Sequence, residues 1–447
     1  MKSIIDYSSE RPRTITGVMV GITLLLALLA LLPTLWPTHF SFLPAITVDT
    51  DPENMLPHDE PVRRFHDAMK RELSLHEMVV LGVVNEHDPN GVFNPESLRR
   101  IHELTEYAKT LQWPDPKDPT KRVGVIAADI IAPSTVDQIE QEGPGSIRFE
   151  WLMPTPPDTV EEALRIRDRA RRIPFLDGTL LAEDGKAIAI YLPITSKDVS
   201  HDIYQKLEEK IATFSGDDRF FITGLPVAED TFGVEMFIQM AISAPLAMLV
   251  IFLLMLYFFR RLVLILSPLV IALVSVIWTM ALLVITGNTI HIMSSMIPIF
   301  IMPISVLDAV HILSEFFDRY PEMKNRRETM RHVMSTLFAP MFYTSLTSIA
   351  GFLSLLLTPI PPVQVFGLFV AIGIFFAWVL TMVFVPAYVM LIPERRFENF
   401  GARSGSGEED WLARLLVRLG GTTIRSARTI LVFTLLASVV AIVGIQR

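Results

Sequence analysis

The chain has 447 residues, 51% of them hydrophobic, and a mean hydropathy of +0.42, a composition that excludes an ordinary soluble protein of this size and marks an integral membrane protein. It contains no cysteine, which excludes disulfides, thiolate metal sites and thiol nucleophiles. The net charge of −9 is distributed unevenly, and an acidic soluble part beside a basic remainder argues against nucleic acid as a partner.

Apolar runs long enough to cross about 30 Å of hydrocarbon fall at residues 17–35, 236–259, 262–285, 290–313, 337–357, 363–392 and 430–445. The first follows Arg11 and Arg13, is too long for a signal-peptide core and lacks a small-residue cleavage site, so it reads as a retained anchor. Residues 37–235 then form one long soluble segment. Strand patterns appear there at 79–84, 123–127, 187–192 and 220–223, and helical patterns from Pro95, at 160–171 and at 199–214. In the first of these helices Leu98, Ile101, Leu104, Tyr107 and Ala108 keep helical spacing. The proline-rich stretches 113–119 and 154–157 read as loops. This alternation predicts an α+β domain of the βαββαβ, ferredoxin-like kind. His58, His66 and His76 lie among carboxylates with no metal-ligand spacing, so surface solvation is expected there, with no metal site and no cofactor.

Topology follows from charge in the short connections. Arg260 and Arg261 lie between spans two and three. Arg319, Lys324, Arg326, Arg327 and Arg331 lie between four and five, and Arg395, Arg396, Arg403, Arg414, Arg418, Arg425 and Arg428 between six and seven. The turn at Gly287 and Asn288 and the connection at 359–362 carry no Lys or Arg. The alternation places the N-terminus in the cytoplasm and residues 37–235 outside it. That segment holds 21 Lys and Arg against 36 Asp and Glu.

The chemistry concentrates in span four. Asp308, His311 and Glu315 recur at helical spacing and project from one face of a single helix. An aspartate at the centre of a spanning helix costs roughly 2.5–3.5 kcal/mol on insertion scales, so such a residue usually faces a bundle interior and serves a proton or ion path. The competing reading leaves Glu315 and His311 solvated near the membrane edge and Asp308 paired only with a hydroxyl. Pro298 and Pro303 could kink the helix before Asp308, or could simply be tolerated in a packed bundle. No GxxxxGK phosphate loop is present, so an ion gradient rather than ATP is the expected energy source.

Arg13-Thr14-Ile15 entering span one is matched by Arg428-Thr429-Ile430 entering span seven. The match predicts the start of a second repeat, so the partner face of Asp308 comes either from the second half of a longer chain or from a second protomer. Between spans six and seven, Trp411, Leu412, Leu415, Leu416 and Leu419 with Arg414 and Arg418 suggest an interfacial helix after a flexible linker at 401–407, with a plain tether as the alternative.

The chain resembles the resistance-nodulation-division (RND) superfamily, in particular its lipid-handling branch with the mycobacterial large membrane proteins, hopanoid exporters and Patched-like proteins. The resemblance rests on 306–313 (VLDAVHIL), 343–352 (YTSLTSIAGF) and Gly224-Leu225-Pro226. It implies a polytopic α-helical membrane protein with a large extracytoplasmic α+β domain of the porter type. The implied divisions are 1–36 (N-terminus and first span), 37–235 (periplasmic domain), 236–392 (five spans similar to a sterol-sensing domain), 393–428 (cytoplasmic linker) and 429–447 (seventh span). It further implies a bacterial inner-membrane exporter of lipids or other hydrophobic molecules, sterol or hopanoid among them, driven by protons and working with membrane lipids and a periplasmic carrier. It is a transporter, not an enzyme, by this resemblance. Asp308 matches the acidic position used for proton coupling, and Thr344, Ser345, Thr347 and Ser348 match the polar stretch facing it. Where many relatives follow the acid with Tyr or Gly, Ala309 and Val310 lead here to His311. Two rival functions within the resemblance are a sterol-responsive receptor and an auxiliary factor in protein secretion.

Overall fold

The computed structural model describes residues 2–40, 42–115, 118–143, 145–259, 262–393 and 411–445. A short helix, α1 (Lys2–Glu10), leads into α2 (Pro12–Leu35), the first apolar span. Arg331 reaches back to Asp6 on α1, tying this N-terminal helix to the bundle.

The segment that follows is mixed. It runs through β1 (Val48–Asp49), α3 (Pro61–Glu72), β2 (Glu77–Val84), α4 (Pro95–Lys109), β3 (Gln112–Pro114), β4 (Arg122–Gly124), β5 (Asp137–Gly143), β6 (Ser146–Trp151), α5 (Val160–Arg171), β7 (Ala187–Ile194), α6 (Ser200–Ile211) and β8 (Arg219–Thr223). A three-stranded sheet has the order β7-β2-β8, antiparallel throughout, with Leu81 opposite Ile190 and Ile222. Alternation along β2 buries Val79, Leu81 and Val83 against α4 and α6. Helix α4 starts where it does because Asn94 Oδ1 accepts the Ser97 N–H at 2.9 Å and Pro95 needs no amide partner in the first turn. Its Leu98, Ile101, Leu104 and Ala108 are fully buried.

Three local expectations change. The strand at 123–127 is short, because a helical turn at Ala127–Asp129 interrupts it, and beyond β4 the backbone continues with isolated bridges from Val125 and Ile131 to β7. β4 instead pairs with β3, which lies partly in the stretch read as a loop. The hairpin of β5 and β6 was not anticipated.

The remaining helices are α7 (Leu225–Phe259), α8 (Leu262–Ile285), α9 (Ile297–Met323), α10 (Arg326–Leu353), α11 (Pro361–Leu391), α12 (Trp411–Arg425) and α13 (Ala427–Ile445). With α2 they supply, among the described residues, seven helices long and apolar enough to cross a membrane. Helix α7 begins at Leu225 rather than near 236. At about 1.5 Å per residue its 35 residues exceed about 30 Å of hydrocarbon, so its polar first turns join β8 to the span without a break. Gly224 makes that corner: its φ is +125°, and a Cβ there would lie 2.3 Å from the Met78 carbonyl oxygen.

Helices α8, α9 and α11 form the buried centre of the bundle, with α2, α7 and α10 around them. Gly373 permits this packing, since a Cβ would fall 2.2 Å from Ile301 Cδ1 and 2.9 Å from Thr279 Oγ1. The run at 290–313 is not one helix. Ile290 and His291 form β9, parallel to β1, and a 3-10 turn at Met293–Met296 precedes α9. Pro298 therefore sits in the first turn of α9, where its missing N–H costs nothing, and starts the helix rather than kinking it. Lys324, at a φ of 49°, ends α9, and Asn325 caps α10 through the Arg327 and Glu328 amides. Arg260, Arg261, Arg395, Arg396, Arg403 and the linker at 401–407 lie outside the described residues.

Candidate functional site

Asp308 lies well inside α9 and is 8% exposed. Its neighbour on the facing helix is Ser345 of α10, also buried, whose Oγ donates a hydrogen bond to Asp308 Oδ2 at 3.2 Å. Helical periodicity explains the placement. Ile301, Ser305, Ala309, Ile312 and Phe316 line the packed arc of α9, while Pro303, Leu307, His311 and Ser314 form an exposed arc beside it. Asp308 occupies the border between these arcs. On α10 the buried positions in this stretch are Met341 and Ser345, one turn apart, and the side chains around them are open.

The seven residues singled out from sequence do not converge. His311 is exposed. Glu315 is half-buried and accepts from Arg319 Nε at 2.8 Å, an i,i+4 ion pair within its own helix. Thr344 Oγ1 donates to the Pro340 carbonyl, and Thr347 and Ser348 both donate to the Thr344 carbonyl, each at 2.9 Å. These three hydroxyls satisfy their own helix, as Ser and Thr commonly do in apolar surroundings. Of the seven, Asp308 and Ser345 are joined side chain to side chain by a hydrogen bond. Among the described residues there is no group of three or more His, Cys, Asp or Glu side chains able to hold a metal ion.

Sequence reasoning passed over a second polar cluster, where the mixed segment meets the spans. Lys197 Nζ donates to Asp51 Oδ2 and to Glu229 Oε1 of α7, both at 3.0 Å. Burial pulls the Lys197 ammonium down, but the hydrogen bonds it donates to Asp51 and Glu229, with their charges, outweigh it and hold the group above its ordinary value. The partners are far apart in the chain, which hides the cluster. The one local signal is the alternation of Asp49, Asp51 and Glu53, three acids at every second position of the sequence.

The model of the MMPL family matches residues 156–420, a stretch that contains α5 to α11 and with them both Asp308 and Ser345. The chain belongs to the MMPL family. A membrane protein of Methanocaldococcus jannaschii is 21% identical over 350 residues, an alignment covering 76% of this chain and 83% of that protein. MMPL membership agrees with the RND resemblance and makes the chain a multi-pass membrane protein of a transporter family rather than of an enzyme family. The MMPL match begins after the β5–β6 hairpin, so α2, α3 and the first part of the sheet lie outside it.

Proposed function

We propose that this protein is a proton-driven RND-type exporter that moves lipids or other hydrophobic molecules, of the sterol or hopanoid class, out of the inner membrane towards the periplasm. The observation that carries the reading is the Asp308–Ser345 pair: a carboxylate buried inside a spanning helix and held by one hydroxyl of the next. Protonation removes a charge that is costly in hydrocarbon and lets α9 repack, and that change biases a two-state bundle. The basic connections after α9 support a cytoplasmic position for that end, and with it a periplasmic, porter-type role for the mixed segment.

The exposed polar arcs beside the pair support a second transmembrane unit. His311, Thr344 and Thr347 are all exposed, and a second half of the chain or a second protomer covers them. The test is proton-gradient-dependent movement of a panel of hydrophobic molecules, sterol and hopanoid included, in vesicles carrying the full-length protein. Wild type is compared with Asp308→Asn. One charge moving through 100 mV supplies about 2.3 kcal/mol, enough for roughly fifty-fold accumulation. Asp308→Asn should abolish that accumulation while leaving ligand binding intact. Undiminished accumulation in the variant refutes the role of Asp308, and binding without transport in the wild type points to a lipid receptor instead.

A further inference from the structure

The polar cluster passed over by sequence reasoning belongs to a strap, residues 48–55, made of β1 and the 3-10 turn Pro52–Met55. On one side the strap is fastened to the lead-in of α9. Val48 and Asp49 pair with Ile290 and His291, the Ile290 N–H donates to the Thr47 carbonyl at 2.8 Å, and His291 Nδ1 lies 3.3 Å from Asp49 Oδ2. His291 is only 17% exposed at its side chain, and the 3-10 turn after it runs directly into the helix that bears Asp308.

On the other side the strap is fastened to the mixed domain and to α7. Asp49 Oδ2 also accepts from Asn54 Nδ2 at 2.7 Å, and Arg63 of α3 donates to Asn54 Oδ1 at 2.6 Å. Lys70 bridges Glu53 to Glu77 of β2. Lys197 bridges Asp51 to Glu229, and Thr50 packs so closely on α7 that a Cβ at Gly233 would lie 2.6 Å from its Cγ2. Each of these ion pairs is partly buried, where charge pairs are screened less than on an open surface.

We propose that this strap is the transmission between the proton-bearing helix and the mixed domain, with Asp49–His291 as its joint to α9. The proposal rests on the preceding reading in taking Asp308 as the site of protonation. A displacement of α9 carries β9 with it, and the Asp49–His291 contact passes the movement to Asp51, Lys197 and Glu229, and so to the domain. Asp49 and His291 are positioning residues in this scheme, since they act on Asp308 only through α9. Continuity of α7 with β8 is the rival route, and the two are separable because they use different residues.

The chain has no cysteine, so an Asp49→Cys/His291→Cys pair can form only one disulfide, between positions that face each other across β1 and β9. Hydrogen–deuterium exchange of the strap and β2 is measured in the full chain with Asp308 and with Asp308→Asn, in three states: native link, reduced cysteine pair and oxidised pair. With the native link, Asp308→Asn should change exchange of these amides by about fivefold or more, the lower range of ordinary allosteric coupling. The difference should vanish in the reduced pair and return on oxidation. His291→Gln, whose side-chain amide can donate to Asp49, should retain the coupling, whereas His291→Leu should lose it, so the comparison stands even if the cysteine pair does not fold.

Two results overturn the proposal: no response of the strap and β2 to Asp308→Asn in the native chain, or a response in the reduced pair and in His291→Leu equal to that of the native chain. The exchange readout needs no transported molecule. Coupling through the joint without any proton-driven transport therefore rejects the exporter and keeps the strap, and proton-driven transport without such coupling rejects the strap alone.

Discussion

Ser345→Ala is the sharpest test of the site, because the structure separates Ser345 from the three hydroxyls around it. The Ser345 Oγ to Asp308 Oδ2 distance of 3.2 Å is long for a hydroxyl donor, whose usual separation is about 2.7–2.8 Å. A hydrogen bond to a charged group contributes about 1.5–3 kcal/mol, so the lower end, about 1.5 kcal/mol, applies here. That corresponds to about tenfold in the balance between the conformation in which Ser345 holds Asp308 and the one it exchanges with. Alanine keeps the helix and nearly the same volume, so α10 should fold unchanged. The assay is the initial rate of gradient-driven uptake into vesicles at matched protein content, with Thr344→Ala and Thr347→Ala as controls. A drop of about tenfold is expected for Ser345→Ala, and less than about twofold for the controls, whose hydroxyls bond to their own helix. An unimpaired Ser345→Ala, or equal losses in all three, refutes the reasoning.

Two further outcomes follow from the junction. Gly224→Ala places a methyl against the Met78 backbone at a φ that alanine rarely adopts, and neither atom can swing away, so about 1–3 kcal/mol of backbone strain should appear as a lower unfolding temperature in detergent. An unchanged midpoint counts against the geometry of that corner. Lys197 is held above its ordinary pKa of 10.5, so the stability it contributes is complete below about pH 10.5 and is lost as pH rises through the raised value. Lys197→Met should therefore lower the unfolding temperature at neutral pH and flatten the alkaline limb of a melting series. An alkaline limb of the same slope in both proteins shows that the ion pairs with Asp51 and Glu229 do not act as drawn.

The spans were legible because membrane thickness imposes a length on apolar runs, and 262–285 coincides with α8 at both ends. Helix ends were less legible, since polar turns extend a helix past its apolar part. Arg326, Arg327 and Glu328 begin α10 well before 337, and Glu229 and Asp230 lie inside α7. The opposite error occurred at Ile290, whose apolar side chain counted towards a span although its backbone pairs with Thr47 and Val48. In β6, Ile147, Phe149 and Trp151 alternate with Arg148 and Glu150, a strand pattern present in the sequence but lost among acidic residues.

At the site itself, spacing placed Asp308 and His311 on one side of a helix, and that much is geometry. Three residues are about 300° around a helix, so the two side chains point about 60° apart, and that angle is the difference between the packed arc and the open one. No local pattern in α9 says where its neighbours end; that boundary is set by α8, α10 and α11. The border position also has a chemical meaning for the proposed exporter. A carboxylate sealed in the packed arc could not exchange a proton, and one in the open arc would be matched by whatever covers it. Asp308 is anchored on its packed side by Ser345 and abuts the open arc that holds His311. A covering unit that wets this arc in one state and dries it in the other would give the proton a route to Asp308 and then close it.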